Sequence, residues 1–150
     1  MKKLIYLAGA MEYYQKNESN QSKAWRDTAK IFFKNYSETF RCIDPMDYYS
    51  FSGDRNASDI EIMRFDLRKV KEADIILVDL NHIRQSIGTS DEILFSYLLG
   101  KPIIGFLDDN ISEKELINMI HGWKYSQIDR IETGERALLK SCEYIKDFYG

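Results

Sequence analysis

Apolar residues in this chain fall into short continuous runs, separated by stretches in which they recur every three or four positions. Residues 3–8, KLIYLA, form the first run and stop at Gly9. A helical pattern follows, with Trp25, Ala29, Phe32 or Phe33, and Tyr36 on one face. TFRCID (39–44) predicts a second strand, ended by Pro45, and 45–57 is a loop rich in Tyr, Ser, Gly and Asn. Ser58 opens another helix with Glu61 as its capping partner and Ile62, Phe65 and Val70 as its apolar stripe. ADIILVDL (73–80) is a near-continuous apolar run, the pattern of a parallel strand covered on both faces. Loop 81–88 leads into a helix over 89–99, with Thr89 and Glu92 at capping-box spacing and Gly100 as its stop. KPIIGFL (101–107) predicts a fourth strand. A helix from Ser112, a short β run around SQIDRI (126–131) and a helix over 133–148 complete the chain.

Strand and helix thus alternate five times. Such alternation implies right-handed crossovers and a parallel sheet with helices on both faces. The expected fold class is α/β: residues 1–150 form a single-domain, doubly wound, five-stranded parallel sheet, flavodoxin- or Rossmann-like, in the order 2-1-3-4-5. Its switch point lies between strands 1 and 3, and ligands bind beyond their carboxyl ends. Leu7-Ala8-Gly9-Ala10 and Ser86-Ile87-Gly88-Thr89 should therefore be neighbours in space. Gly9 and Gly88 would let a ligand approach the backbone closely. The open amides at the start of helix 89–99 favour an anion. Neither GxGxxG nor GxxxxGK[ST] occurs, so the dinucleotide fingerprint and the P-loop are both missing.

Composition narrows the partners. The chain has 150 residues, 44% hydrophobic and 30% charged, as in ordinary soluble domains. A net charge of −3 without a basic run argues against polymeric nucleic acid or an anionic membrane surface. The N-terminal apolar run is broken by Glu12, and no stretch approaches the roughly 20 apolar residues of a membrane span. Cys42 and Cys142 stand alone and read as packing thiols of a reducing compartment, so a cytoplasmic protein is expected. His82 and His121 are isolated, and neither a metal nor a cofactor is expected.

Carboxylates dominate the predicted mouth: Glu92, Asp66, Asp44, Asp79 and Asp91. Without metal ligands or a Ser-His-Asp pattern, they point to glycosidic chemistry. One ionised carboxylate attacks the anomeric carbon, and a protonated one assists the leaving group. Placed in a first helical turn, Glu92 would be held ionised by the macrodipole, which suits a nucleophile. Asp66 would need a raised pKa to act as an acid. Taken alone, however, Glu92 reads first as the partner of a Thr89 cap, Asp66 as a solvated helix residue and Tyr6 as core.

Three blocks change that balance: IYLAGAM at the N-terminus, FDLRKVKEADIILVDL in the middle and SIGTSDEILFSYLLGKPI after it. Together with their spacing, they resemble the nucleoside 2-deoxyribosyltransferase family and its relatives that hydrolyse nucleoside 5′-monophosphates. The resemblance implies that Glu92 is the nucleophile that forms a glycosyl-enzyme. Asp66 would transfer the proton to the base, and Tyr6 would orient the nucleophile. Ala8, Gly9 and Ala10 would line the pocket, with Asp44 also on the substrate side. The implied partner is a small nucleoside or nucleotide. Homo-oligomers, dimers or larger, are expected, with loop 45–57 and the C-terminal EYIKDFYG as interface pieces.

Departures from the family pattern concern the substrate. Six residues before the nucleophile, transferases acting on free nucleosides tend to carry Asp and the monophosphate hydrolases Ser; this chain has Ser86. With Gly88 and Thr89, Ser86 would hold a phosphate, and Arg84 could add charge or simply be a solvated loop residue. Against a phosphate, the hydrolases often carry Arg just after the first-strand glycine, where this chain reads Met11-Glu12-Tyr13. Leu94 replaces the family's usual small residue and is expected to narrow the pocket. The leading expectation is transfer of a (deoxy)ribosyl group between bases. The alternatives are a nucleoside 5′-monophosphate N-glycosidase and a non-catalytic nucleotide-binding or sensor module.

Overall fold

A computed structural model describes residues 1–11, 20–49 and 58–150. Five strands join one parallel sheet: β1 (Lys3–Ala8), β2 (Phe40–Ile43), β3 (Ile75–Asp79), β4 (Ile103–Leu107) and β5 (Arg130–Thr133). Their order is β2-β1-β3-β4-β5, as expected for five alternating strands in a chain of this length. The helices are α1 (Gln21–Lys34), α2 (Asp59–Glu72), α3 (Ile87–Leu98), α4 (Glu113–Ile120), the single turn α5 (Gly122–Tyr125) and α6 (Ala137–Tyr149). Two 3-10 turns, Pro45–Asp47 and Ile83–Gln85, follow β2 and β3.

Side-chain alternation along the strands divides the core into two clusters. Tyr6, Ala8, Ile76 and Val78 face one side of the sheet with Val70 and Ile93, which come from α2 and α3. Ile5, Leu7, Ile75 and Leu77 face the other side with Trp25, Ala29 and Phe33 of α1 and Cys142 and Ile145 of α6. Every residue of β3 and β4 is buried, which explains their unbroken apolar runs. The register pairs Tyr6 with Ile76 and Ala8 with Val78, so β1 and β3 end side by side at the switch point.

Local signals explain most boundaries. Ser58 and Glu61 form the predicted capping box at the start of α2. Gly100 ends α3 at φ +69°, a conformation open to glycine at no steric cost. Several element boundaries differ from expectation, the last helix among them, which begins at Ala137 and not at 133. The helix predicted from residue 89 begins at Ile87, because Ser86 is its N-cap and accepts from the Thr89 amide. The Thr89–Glu92 capping box therefore does not form. The strand expected over 126–131 lies at Arg130–Thr133, because the preceding residues close a helical turn capped by His121, whose Nδ1 accepts from the Trp123 amide at 3.1 Å. Tyr36 lies beyond the end of α1. Both cysteines pack with the α1–α6 side, and burial pushes each thiol up to about 12. Among the described residues, no helix is long and apolar enough to cross a membrane.

Candidate active site

A cleft of about 320 Å³ opens beyond the carboxyl ends of β1 and β3, between α2 and the start of α3. Gly9 forms part of its floor, Asp66 lies on the α2 wall, and Ser86, Gly88, Thr89 and Glu92 come from the α3 side. Ile62, Met63, Leu67 and Ile87 add apolar surface, which a nucleobase or sugar face can cover. The doubly wound topology places these residues together, although they are separated by up to 83 positions in sequence (9 to 92).

Glu92 is the buried centre of the cleft. The Tyr6 hydroxyl, projecting from the middle of β1, donates to Glu92 Oε2. With α3 beginning at Ile87, Glu92 lies in its second turn, where the macrodipole acts weakly. The expectation of a carboxylate held ionised by the helix is thus overturned. Burial instead pushes Glu92 up to about 8, the nearby Asp66 and Asp91 adding to the rise, while the Tyr6 hydrogen bond and Arg26 oppose it. Tyr6 itself is raised well above its ordinary value by burial and then by Glu92 and Asp66, so it remains a hydrogen-bond donor.

Asp66 is 8% exposed and accepts a 3.1 Å hydrogen bond from the Tyr49 hydroxyl. Burial pushes it up to about 6, with Tyr49 and Arg26 pulling it back. The cleft thus contains two carboxyl groups of raised pKa, each hydrogen-bonded to a tyrosine. Perturbed carboxyl groups that share a cleft are a physical mark of a reactive site.

Other predicted positions fall elsewhere. Ala8 and Ala10 are buried beside the cleft and do not line it. Asp44 is buried on the far side of β1. It caps the 3-10 turn through the Met46 amide at 2.9 Å, and it pairs with Lys30 at 2.5 Å and Arg26 at 3.3 Å. Scaffolding thus takes up its carboxylate, and a substrate role is not where the fold puts it. Asp79 accepts from the Asn81 amide and side chain at 2.9 and 2.7 Å. Arg84 points away from the cleft and donates to the Asn118 and Met119 carbonyls at 2.7 and 2.9 Å, near the end of α4. Leu94 is 41% exposed and outside the cleft, so it does not narrow it. Glu12 and Tyr13 lie outside the described residues, as do residues 50–57 of the loop expected at an interface.

Two residues of the site escaped sequence reasoning. Tyr49 sits in a loop of many aromatics that offers no period to single it out. Arg26 left a signal: it occupies the same helical stripe as Trp25, Ala29 and Phe33, where a charge is anomalous.

Similarity to known proteins bears on the same geometry. The family model described as nucleoside 2-deoxyribosyltransferase matches residues 5–130. The chain belongs to the nucleoside 2-deoxyribosyltransferase family. That match contains β1 from Ile5 onward, the cleft and both carboxylates. No curated protein matches the sequence significantly. Among solved structures, a conserved protein from Enterococcus faecalis V583 superposes with a TM-score of 0.71 at 15% identity, covering 95% of this chain and 98% of its own. The Clostridium botulinum CMP N-glycosidase BcmB gives 0.61 at 18% identity, covering 99% and 100%. A 2-deoxyribosyltransferase from Bacillus psychrosaccharolyticus gives 0.54 at 21% identity, covering 79% and 82%. At these identities the superpositions establish a shared fold across the deoxyribosyltransferase family and its N-glycosidase relative.

Proposed function

We propose that the protein cleaves the N-glycosidic bond of a (deoxy)nucleoside and transfers the sugar to a second base, with Glu92 as nucleophile and Asp66 as acid and base. The observation that carries this reading is the buried Tyr6–Glu92 hydrogen bond in a cleft that also holds Asp66. Membership of the family supports the reaction class.

In the first step, a Glu92 carboxylate oxygen bonds to the anomeric carbon. The bond from that carbon to the base nitrogen breaks, its electron pair stays on the base, and Asp66 delivers the proton. Tyr6 fixes the rotamer of Glu92 by donating to one oxygen, leaving the other to attack. In the second step, Asp66 takes the proton of an incoming base, whose nitrogen bonds to the anomeric carbon and releases Glu92. Water in place of that base gives hydrolysis.

Proton inventory shapes the pH response. Reaction needs Glu92 ionised and Asp66 protonated, the reverse of their ease of ionisation in the free cleft. The productive form is therefore a minor fraction of the free cleft near neutrality. The profile of kcat/KM should be bell-shaped, with limbs near 6 and 8 that belong to the pair.

A second reading is favoured by Ser86 at the cleft rim and by the resemblance in fold to a CMP N-glycosidase. In it, a nucleoside 5′-monophosphate places its phosphate against Ser86, Gly88 and Thr89, where the α3 amides favour an anion. Gly88 supports this, since among the described residues, apart from its chain neighbours and its own helix backbone, no atom lies within 4 Å of the position a side chain would take. One assay separates the readings. A deoxynucleoside is incubated with a second free base, and a nucleoside monophosphate is incubated alone. Base exchange supports transfer, and base release confined to the monophosphate supports hydrolysis. Thermal stabilisation by both ligands without turnover would leave only a binding module.

Association with further copies of the chain belongs to the same proposal. It is supported by Ile87, Leu94, Tyr97 and Leu98, exposed along α3. Light scattering at two protein concentrations tests it.

A further inference from the structure

Arg26 is the largest fully buried side chain among the described residues, at 0% exposure. Its guanidinium lies under the carboxyl end of β1. One terminal nitrogen donates to the Gly9 carbonyl at 3.1 Å and lies 3.5 Å from that of Leu7. The other donates to the Ser22 carbonyl at 3.2 Å and to its hydroxyl. Nε lies 3.3 Å from Asp44, yet no hydrogen bond is directed from it among the described residues. The ring of Trp25 lies 4.7 Å from the charged carbon.

A tie between β1 and α1 could be made by a neutral donor. Burying a cation costs several kcal/mol unless opposite charge compensates it. The compensation beside Arg26 is divided. Asp44, from the end of β2, is shared with Lys30 of the same helix, and Asp79, from the end of β3, accepts from Asn81. The remaining groups that feel the guanidinium are those of the cleft: Tyr6 of β1, Asp66 of α2 and Glu92 of α3. Arg26 pulls down both carboxyl groups, and Glu92, Asp44 and Asp79 in turn favour its charge against the burial that opposes it.

We propose that Arg26 is a positioning residue of the reaction: its buried charge favours the ionised cleft, and its hydrogen bonds hold the Gly9 floor against which substrate rests. This rests on the assignment of Glu92 and Asp66 above. The reaction steps are unchanged by it; the ionisation of the cleft and the seating of its Gly9 floor depend on Arg26.

The test compares Arg26→Met, Arg26→Lys and Asp44→Asn with the unaltered enzyme, in pH profiles of kcat/KM and in infrared titration of the Glu92 carboxyl, identified by difference against Glu92→Gln. Arg26→Met should move both limbs and the infrared midpoint up by about one pH unit. Arg26→Lys should show little of that shift, because it keeps the charge. Asp44→Asn, which keeps the cap acceptor while removing the opposing charge, should move them down by less. Unshifted profiles in Arg26→Met and Asp44→Asn, with reduced stability alone, would make Arg26 a purely structural clamp and overturn the proposal. If Arg26→Met does not fold, Asp44→Asn decides: a downward shift supports the proposal and no shift overturns it. If no glycosidic activity exists, the infrared midpoints still report on Arg26, so failure of the reaction reading is distinguishable from failure of this one.

Discussion

The two faces of the sheet bury comparable apolar clusters, but they treat their buried charges in opposite ways. On the α1–α6 face, Arg26 and Lys30 meet Asp44 at 3.3 and 2.5 Å, and the terminal guanidinium nitrogens donate to the Gly9 and Ser22 carbonyls. On the α2–α3 face, Glu92 and Asp66 are buried with only hydroxyl donors, Tyr6 and Tyr49, as side-chain partners among the described residues. A folded chain gains nothing in stability from two carboxyl groups held so. The difference teaches which charges are scaffold and which the proposed reaction would use: paired charge fixes the ends of the strands, while underpaired acid lines the cleft.

Substitutions can break that contrast in graded steps. Glu92→Gln removes the proposed nucleophile, and single-turnover release of base should fall by about a thousand-fold or more. Asp66→Asn should cost about a hundredfold in cleavage of poor leaving groups, and less for a chromogenic base that departs without a proton. In that variant the kcat/KM profile should also lose the limb that depends on a second carboxyl. Tyr6→Phe should cost about tenfold, the worth of one charge-assisted hydrogen bond, and should raise the alkaline limb because that bond favours the ionised Glu92.

The smallest effect concerns stability and sharpens the contrast without any substrate. Glu92 has a folded-state pKa raised to about 8 against an ordinary 4.5, so the folded protein binds more protons than the unfolded chain between those values. Stability contributed by its protonated form is intact below about 4.5 and is lost as pH rises towards 8. Glu92→Gln should therefore leave Tm almost unchanged at pH 5 and raise it by about 5 °C at pH 8. An equal change at both pH values would mean that burial of Glu92 carries no such cost.

Much of this arrangement was legible in the chain. The unbroken apolar runs of β3 and β4 and the strand–helix alternation were enough to predict the sheet order, because parallel crossovers permit few alternatives. The neighbourhood of Gly9, Ser86, Gly88 and Glu92 followed from that order. What could not be read was how far each carboxylate is satisfied. Asp44, Asp79, Glu92 and Asp66 look alike as letters near strand ends and helix starts, yet two are taken up by scaffold and two face the cleft. That sorting depends on which face of β1 each one meets, and on Arg26, whose place among apolar stripe positions was the visible clue. The start of α3 was misplaced by two residues because Thr89 and Glu92 mimic a capping box, while Ser86 provides the cap.

The position of that cap has a consequence for how substrate preference can change over time. The Ser86 hydroxyl accepts from the Thr89 amide and lies 2.6 Å from the Thr89 hydroxyl, so the residue at the cleft rim is also the one that starts the helix. Serine and aspartate both serve well as N-caps. Exchanging one for the other would place or remove a negative charge where a substrate phosphate would rest and still leave α3 begun at the same residue. A lineage could thus cross between charged and uncharged substrates in one step, without passing through an unfolded ancestor.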